Sequence, residues 1–391
     1  MIRTIDECFW GIKNGANIKQ SKSSGGFPIT RIETIADNKF NRDRVGYAGI
    51  TDVSSYESYI LEDEDLLMSH INSAKYLGRT VLYNRRANEV IIHGMNLLRL
   101  RANKEIINPS YAKYLFSGCK FKKQVSRITK KSVNQASFTV GDLKKIKISV
   151  PSILEQVQIV EKLDKIAGII ELRQAEIEKA EEIIKARFVE MFGDLRDNGK
   201  GWEIKTLDEL SYLITDGEHI TPRRTTDGIY LLSARNILNH SLRLDDVDYI
   251  DQEEYDRIAK RVVPKKGDVL ISCSGTVGRC CSVPAGITFQ MVRSVALIRF
   301  KEEINPVFAE YMITSDYLQA QINGSKTASS QSNLFQGKIR ALKGFAPPIE
   351  LQIQFLQFVQ QIAKSKLPNI SIIYTLFVGM TYTLPGTLAL Y

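Results

Sequence analysis

The stretch Pro151-Ser-Ile-Leu-Glu-Gln-Val-Gln158 recurs as Pro347-Pro-Ile-Glu-Leu-Gln-Ile-Gln354, 196 residues further along a chain of 391 residues. Each copy opens with proline and leads into a run whose apolar residues are three and four positions apart, a pattern that predicts an amphipathic helix. A helix entry that occurs twice indicates an internal repeat.

Segments before the two helix entries also match, and they do so in the same order. Chance similarity rarely preserves order over several segments, so the chain is interpreted as a tandem duplication of a globular unit followed by a helix. The matching pairs are Phe27–Ile35 with Ile229–Ile237, Glu64–Ser69 with Gly267–Ser272, and Asn108–Tyr111 with Asn305–Phe308.

The globular parts are predicted to be of mixed α/β class (α+β). Short runs rich in β-branched residues, Val90–Ile92, Asp268–Ser272 and Val295–Ile298, predict strands. Asn108 and Asn305 each precede a proline and predict helix starts, because asparagine caps a helix and proline suits its first turn. The predicted organisation is a first domain over 1–150, a spacer helix over 151–193, a second domain over 194–347, a shortened spacer helix over 348–367 and an atypical tail over 368–391.

Apolar residues in the first spacer helix recur with a 3.5-residue period, which is typical of a coiled-coil seam. The second helix repeats the start of this pattern. A helix packed against its own domain is the alternative. The predicted helix-pairing residues are Ile159, Leu163, Ile166, Ile170, Ile177 and Ile184 in the first helix and Phe355, Val359 and Ile362 in the second.

Composition and motifs argue against an enzyme. The chain lacks a P-loop, a Gly-x-Gly-x-x-Gly loop, a Cys-x-x-Cys pair and the Pro-Asp…(Asp/Glu)-x-Lys nuclease signature. The Asn-Pro segments resemble the Asn-Pro-Pro-(Tyr/Phe) loop of amino-methyltransferases only faintly, since the second proline is missing. Five cysteines suit a reducing cytoplasm, and Cys273, Cys280 and Cys281 are predicted to be small buried residues.

The basic residues point instead to a polyanion. Lys and Arg number 53 against 44 Asp and Glu, and no acidic residue occurs between Ile106 and Gly141. Cationic and amide side chains can bind phosphates and base edges; a solvated basic face is the alternative. The candidate DNA-binding residues are Lys122, Lys123, Arg127, Lys130, Lys131, Asn134 and Gln135 in the first half and Arg223, Arg224, Arg235, Arg279, Arg293, Lys326, Gln331 and Asn333 in the second.

Over residues 1 to about 366 the chain resembles the specificity subunits of type I restriction-modification systems. The resemblance rests on the repeated (Glu/Gly)-Asp-(Leu/Val)-Leu-(Met/Ile)-Ser strand, on Gln135-Ala-Ser137 and Gln331-Ser-Asn333, and on the repeated helix entry. It implies two target-recognition domains, each docking on one half of a bipartite double-stranded DNA site. The helices would pair antiparallel and fix the gap between the half-sites.

The same resemblance implies partners that carry out the chemistry. Two modification subunits would hold S-adenosylmethionine and methylate adenine, and two restriction subunits would use ATP and Mg²⁺ to translocate and cleave DNA. This chain would be non-catalytic and would hold no cofactor or metal. The alternatives are a coiled-coil scaffold or protein-interaction module that does not bind DNA, and a divergent methyltransferase.

Two departures from the family pattern concern the ends of the chain. Only Trp10-Gly11 remains of a lead-in that Gly201–Leu207 keeps before the second half, and the second helix is cut short after Leu367. The uncharged stretch Asn369–Tyr391 is interpreted as a frayed or out-of-register end of a recombined or frameshifted gene. Its length could also span a bilayer, but Pro385 and several threonines make membrane association an unfavoured alternative.

Overall fold

The computed structural model describes residues 1–22, 25–132, 135–324 and 333–366. Two compact units result, one formed by Met1–Gln174 and the other by the described residues from Ala175 onward. The predicted tail over 368–391, with the predictions made for it, lies outside the described residues.

Short strands and small helices build the first unit. Its strands are β1 (Ile2–Thr4), β2 (Phe9–Asn14), β3 (Pro28–Ile29), β4 (Gly46–Tyr47), β5 (Leu66–Ser69), β6 (Ile71–Asn72), β7 (Thr80–Leu82), β8 (Leu97–Ala102), β9 (Lys130–Lys131), β10 (Ala136–Ser137) and β11 (Lys147–Ser149). Its helices are α1 (Ile5–Cys8), α2 (Pro109–Ser117), α3 (Cys119–Ile128), α4 (Val140–Lys144) and the first part of α5 (Ile153–Phe192).

The second unit is also built from short strands and small helices. Its strands are β12 (Ile204–Thr206), β13 (Ser211–Asp216), β14 (Ile229–Leu232), β15 (Ile237–Leu238), β16 (Ser241–Leu242), β17 (Asp248–Ile250), β18 (Val269–Ser272), β19 (Cys280–Ser282), β20 (Phe289–Met291), β21 (Val295–Phe300) and β22 (Lys343–Phe345). Besides the end of α5, its helices are α6 (Gln252–Ala259), α7 (Pro306–Thr314), α8 (Asp316–Gly324), α9 (Gln336–Ala341) and α10 (Ile349–Lys366).

Each unit is centred on an antiparallel four-stranded sheet with the same order. The strands run β2-β8-β5-β7 in the first unit and β13-β21-β18-β19 in the second. Even an irregularity is repeated, since the register shifts between Trp10 and Lys13 in β2 and between Ser211 and Leu213 in β13. The predicted mixed fold built from two repeated units is therefore confirmed.

A buried ion pair in each central sheet joins an arginine on one strand to an aspartate that lies just before a neighbouring strand. In the first unit Arg101 Nε donates to Asp65 Oδ1 at 2.8 Å, and Asp65 also accepts the Glu62 amide. In the second, Arg299 and Asp268 form the same pair with two bonds of 2.7 Å. Both aspartates are almost fully buried, so each carboxylate depends on its arginine for compensation.

A buried glutamine joins each repeated helix entry to its globular unit. Gln156 Oε1 accepts the Asn108 amide at 2.7 Å, while its Nε2 donates to the carbonyls of Ile106 and Pro151. Gln352 makes the equivalent bonds to Asn305, Glu303 and Pro347. Asn108 and Asn305 cap α2 and α7 as predicted, so the glutamine ties the start of the long helix to the start of a second helix.

The long helix α5 packs on a globular core at each of its ends. Leu163 is buried in the core of the first unit, with Ile159 against it. Ile184, Phe188 and Phe192 lie in the core of the second unit. That core also receives the predicted pairing residues Phe355, Val359 and Ile362 of α10, whereas Ile166, Ile170 and Ile177 are half-buried.

The end of α5 contacts α10 through two phenylalanines. The ring of Phe188 lies 5.4 Å from that of Phe355, and the ring of Phe192 lies 5.6 Å from it. The seam prediction omitted both phenylalanines. Phe188 follows Ile184 by four residues and Phe192 follows Phe188 by four, so this end of α5 has the period of a helix packed on a globular core.

The predicted strands at Asp268–Ser272 and Val295–Ile298 are present as β18 and β21. The prediction of a strand at Val90–Ile92 is wrong. Only Ile92 pairs there, through isolated bridges to Ile29 and Ile60. The segment is apolar because Ile92 is fully buried between two other segments, a role that local β-propensity does not distinguish from a strand.

The predicted burial of three cysteines agrees with the structure. Cys273, Cys280 and Cys281 are buried as predicted, and burial raises the pKa of Cys273 and Cys281 to about 12. Within the described ranges, no helix combines the length and the apolar character that crossing a membrane requires.

Gln156→Ala is expected to lower the free energy of unfolding by about 2–3 kcal/mol, because three buried backbone groups lose their partner. Urea unfolding followed by circular dichroism measures this change. The matched control is Gln158→Ala on the exposed face of the same turn, expected to stay within about 0.5 kcal/mol of the parent. Equal effects of the two substitutions would contradict the bridging role of Gln156.

Acid is expected to destabilise the first unit through its buried histidines. Burial lowers the pKa of His93 to about 3 and that of His70 to about 4. The unfolded chain therefore binds these protons near pH 6.5 while the folded unit does not, and stability falls as the pH drops from about 6.5 toward 4.

Hydrogen exchange of β8 amides at graded urea concentrations measures this slope between pH 6.5 and 5, above the range in which carboxylates titrate. His93→Gln keeps a donor for the Leu97 carbonyl and should remove about half of the slope. His219→Gln in the second unit is the control and should leave it unchanged. A slope unaffected by His93→Gln would show that these histidines are not its source.

Candidate DNA interface

An unpaired basic surface lies on the first unit. It is formed by α3 and by the neighbouring strand β9, and we call it the first basic surface. Its cations are all exposed, and within the described parts of the chain none of them forms an ion pair. They are Lys122, Lys123, Arg127, Lys130 and Lys131.

The amphipathic pattern of α3 determines which of its side chains point outward. Phe121 and Val125 are buried in the core of the first unit, so Lys122, Lys123 and Arg127 face solvent. The strand β10 pairs with β9 on one side and with β6 on the other, which presents Lys130 and Lys131 on an edge strand. The predicted residue Gln135 is also exposed, in the turn between these strands.

Sequence reasoning missed the aromatic residue that adjoins this surface. Tyr76 is exposed, and the guanidinium of Arg79 lies 4.5 Å from its ring. A Cβ at Gly78 would be 3.3 Å from the Val125 side chain, so this loop lies directly against α3. The signal that could have found it is the short basic and aromatic run Lys75-Tyr76-Leu77-Gly78-Arg79.

Three predicted arginines of the second unit are held by carboxylates. Arg223 bonds to Asp251 and Glu253 at 2.9 and 2.8 Å. Arg224 and Arg235 converge on the single carboxylate of Asp248, at 2.9 and 2.7 Å. These arginines are exposed but not unpaired, so binding a phosphate would require them to exchange one anion for another.

Partial burial and two arginines act in opposite directions on the pKa of Asp248. Its partial burial acts to raise the pKa of the carboxyl group, but the hydrogen bonds from Arg224 and Arg235 outweigh burial and hold that pKa below its ordinary value. The carboxylate therefore stays charged and fixes the direction of both guanidinium groups.

The other two predicted DNA-binding arginines, Arg279 and Arg293, form no ion pair with any residue that the structure describes. Arg279 ends a loop that Ser272 holds in place, since Ser272 Oγ accepts the Arg279 amide at 3.0 Å and donates to the Thr276 carbonyl at 2.6 Å. Arg293 is exposed in the turn before β21.

An open concavity of about 650 Å³ brings some of these predicted residues together. Arg224, Arg293 and Asn333 line it, along with the exposed side chains of Ile220 and Phe335, which the sequence prediction omitted. Asp216 adds negative charge to the wall, paired with Arg261 at 2.6 Å and with His219 at 2.8 Å. The concavity thus offers donors, acceptors and apolar contacts rather than uniform positive charge.

Three of the predicted DNA-binding residues, Asn134, Lys326 and Gln331, lie outside the described residues. The described candidates form two separate groups, one in each unit. The first basic surface belongs to the first unit, and the concavity with its surrounding arginines belongs to the second.

The same exposed positions carry different side chains in the two units. Helices α3 and α8 occupy equivalent places, with Phe121 and Val125 matched by the buried residues Leu318 and Ile322. Gln124 and Gln321 each donate to the carbonyl of the lysine that begins β11 or β22. The exposed residues Lys122, Lys123 and Arg127, however, correspond to Gln319, Ala320 and Gly324.

Comparison with known proteins finds a similarity that covers the first half of the chain. Residues 2–182 match the family described as the type I restriction modification DNA specificity domain. The first half of the chain is therefore similar to the DNA specificity domains of type I restriction-modification systems. The resemblance predicted from the sequence is thereby confirmed.

Individual relatives agree with this assignment. A putative type I restriction enzyme MjaX specificity subunit of Methanocaldococcus jannaschii is 37% identical over 191 residues, which are 49% of this chain and 45% of that protein. The match thus spans less than half of that specificity subunit.

The likeness of fold extends over both units. The crystal structure of the type I restriction-modification system S subunit from M. genitalium matches over 97% of this chain and 94% of its own, with a TM-score of 0.50 and 13% sequence identity. At that identity the likeness concerns the fold alone, and it agrees with the two repeated units of this chain.

Removing two cations of the first basic surface, by Lys122→Ala with Lys123→Ala, is expected to weaken binding to every DNA duplex alike. Each lost phosphate contact should reduce the slope of log affinity against log salt by about 0.9. Fluorescence anisotropy over a salt series measures both quantities. Lys179→Ala, an exposed change on α5, is the control; an unchanged slope in the double variant would exclude α3 from the interface.

Proposed function

We propose that the chain is the non-catalytic DNA-recognition subunit of a type I restriction-modification complex. Each unit is a target-recognition domain that reads one half of a bipartite site in double-stranded DNA. Modification subunits methylate adenine in that site, and restriction subunits cleave unmodified DNA. S-adenosylmethionine, ATP and Mg²⁺ are held by those partners and not by this chain.

The observation that carries this proposal is the contrast between α3 and α8. Their buried residues are equivalent, whereas their exposed residues differ in charge and size. The two units thus share a scaffold but differ in exposed side chains. This combination suits two domains that dock on DNA in the same way but read different bases. A scaffold for protein contacts alone gives no reason for the cations that line the first basic surface.

The arginines of the second unit support a reading role in a different way. Arg293 and Asn333 line one concavity, and their side chains have the hydrogen-bonding groups that read guanine and adenine in the major groove. Asp248 holds Arg224 and Arg235 in fixed directions. Their preorganised side chains would lose less conformational freedom on binding, which favours specificity.

The long helices serve in this proposal as a spacer between the half-sites. Gln156 and Gln352 fix the direction in which α5 and α10 leave their units. The predicted pairing residues Phe355, Val359 and Ile362 share a core with the end of α5, as an antiparallel pairing of the helices requires. The gap in the DNA site would then depend on helix length.

The decisive experiment is a genome-wide map of methyladenine after co-expression of the chain with a type I modification subunit in a methylation-free host. We expect one motif made of two different short halves separated by a fixed gap. No new methylation, despite a complex that forms and binds S-adenosylmethionine, would contradict the proposal.

Two matched variants assign the half-sites. Arg127→Ala in the first unit and Arg293→Ala in the second are each expected to relax one half of the motif, by about 1–3 kcal/mol of discrimination at the affected base pair. The two variants should relax different halves. If either variant relaxed both halves together, the units would not read DNA separately.

A further inference from the structure

A buried arginine of the first unit lies where the second unit has an apolar residue. Arg99, on β8, is only 3% exposed. In the register of the paired strands it stands opposite Lys13, and the equivalent pair in the second unit is Leu297 with Thr215. Leu297 is fully buried in an apolar core. The shared scaffold therefore does not require a cation at this position, and a buried cation is unfavourable unless an anion compensates it.

The carboxylates that act electrostatically on Arg99 are already paired with another arginine. They are Asp65 and Glu62, and both contact Arg101, two residues further along the same strand. Arg99 itself forms no ion pair with any described residue, and its Nη1 donates to two main-chain carbonyls, at 3.1 and 3.4 Å. Burial lowers the pKa of the Arg99 guanidinium, as expected for a charge with incomplete compensation.

One edge of the Arg99 guanidinium makes no hydrogen bond with any residue that the structure describes. It is the edge formed by Nε and Nη2, and Nε is buried. In Arg101 and Arg299 this same edge holds both oxygens of an aspartate. Its two N–H groups match a pair of oxygens on one carboxylate or phosphate. The geometry therefore favours an oxyanion over a monatomic ion such as chloride.

Lys13 brings a second positive charge beside Arg99 on the neighbouring strand. It is half-buried, and its Nζ lies 4.6 Å from the centre of the Tyr59 ring. Burial, and then the charges of Arg99 and Arg101, lower the pKa of Lys13. Lys13 has no ion pair within the described parts of the chain. Two neighbouring cations without a carboxylate of their own suit a doubly charged anion.

Gly11 leaves the guanidinium of Arg99 accessible from solvent. Gly11 is exposed and has a φ of +74°. A Cβ at this position would lie 4.0 Å from Arg99 Nη2 and would meet no other described atom within that distance beyond its chain neighbours. The corresponding residue of the second unit is Leu213, which packs on the core that contains Leu297. The second unit thus closes this position with apolar side chains, whereas the first has an opening above a buried cation.

We propose that Arg99 and Lys13 bind a doubly charged phosphate group that enters over Gly11. Phosphate supplies paired oxygens for the guanidinium and enough negative charge to compensate both cations. A free phosphate, or the terminal phosphate of a small molecule, fits this charge better than the DNA backbone, whose phosphates each carry a single charge.

The site is separate from the first basic surface. Leu98 and Leu100, which alternate with Arg99 along β8, lie in the core that also holds the buried side of α3. Because successive side chains of a strand point to opposite faces, Arg99 lies on the other face of the central sheet. The proposal therefore does not rest on DNA recognition.

Isothermal titration calorimetry of the full chain with inorganic phosphate tests the site directly. At about pH 8 the phosphate is doubly charged, and one phosphate per chain is expected to bind. Arg99→Leu introduces the residue that the second unit has there and should abolish binding. Lys13→Thr should weaken binding by about tenfold. Lys266→Thr, at an exposed lysine of the second unit, is the control and should bind as the parent does.

The absence of binding to the parent, or parent affinity in Arg99→Leu, would overturn the proposal. Repeating the titration with a saturating DNA duplex distinguishes the two sources of phosphate. Unchanged binding of inorganic phosphate supports a site for a free phosphate group. Displacement by the duplex would overturn that assignment in favour of the DNA backbone.

Urea unfolding in the absence of phosphate gives a second test, because a binding site and a purely structural arginine predict opposite signs. Arg99→Leu should raise the urea midpoint of the first unit, followed by hydrogen exchange of the β8 amides, since an apolar side chain replaces a poorly compensated buried charge. Arg101→Leu is the matched control on the same strand and should lower the midpoint, because Asp65 stays buried without its partner. A lower midpoint in both variants would mean that Arg99 serves the fold through its carbonyl contacts, and would overturn the proposal.

Discussion

A single buried side chain at each helix entry sets the architecture of this protein. Gln156 and Gln352 each satisfy three backbone groups that have no water available to them. Their amide groups must lie in one orientation to do so, and this orientation fixes the start of α5 or α10 against the start of α2 or α7. The ion pairs of Arg101 with Asp65 and of Arg299 with Asp268 stabilise the central sheets themselves.

Because buried residues stabilise the scaffold, the exposed faces of the two units can differ. The inward side of α3 has the same pattern as that of α8, but Lys122, Lys123 and Arg127 on its outward side correspond to uncharged residues of α8. In the second unit the charge lies elsewhere, on arginines gathered around Asp248 and around a concavity. Among the described residues, the first unit thus presents cations without an ion pair, whereas most of the candidate arginines of the second unit are paired with carboxylates. The two units therefore contribute unequally to the long-range attraction of a polyanion.

Local signals predicted much of the fold. The caps Asn108 and Asn305, the prolines before the helix entries and the glycine after Phe192 are short-range features, and the helices begin and end where these indicate. The local signals failed where contacts between residues far apart in the chain determine the structure. Ile92 is buried by contacts with residues 32 and 63 positions away, and Arg223, Arg224 and Arg235 pair with carboxylates 13 to 30 residues further on. The sequence therefore located the basic residues of the candidate site but not the carboxylates that pair with them.

The glutamine bridges also bear on how such a protein changes over generations. Every bond that Gln156 and Gln352 make is to a main-chain atom, so none depends on the identity of the residue that supplies it. Substitutions in the loops and on the outer helix faces therefore require no compensating change at the joint. A whole unit could be replaced by a divergent one through recombination at the helix entry, and the recombinant would inherit a new target without having to rebuild its frame.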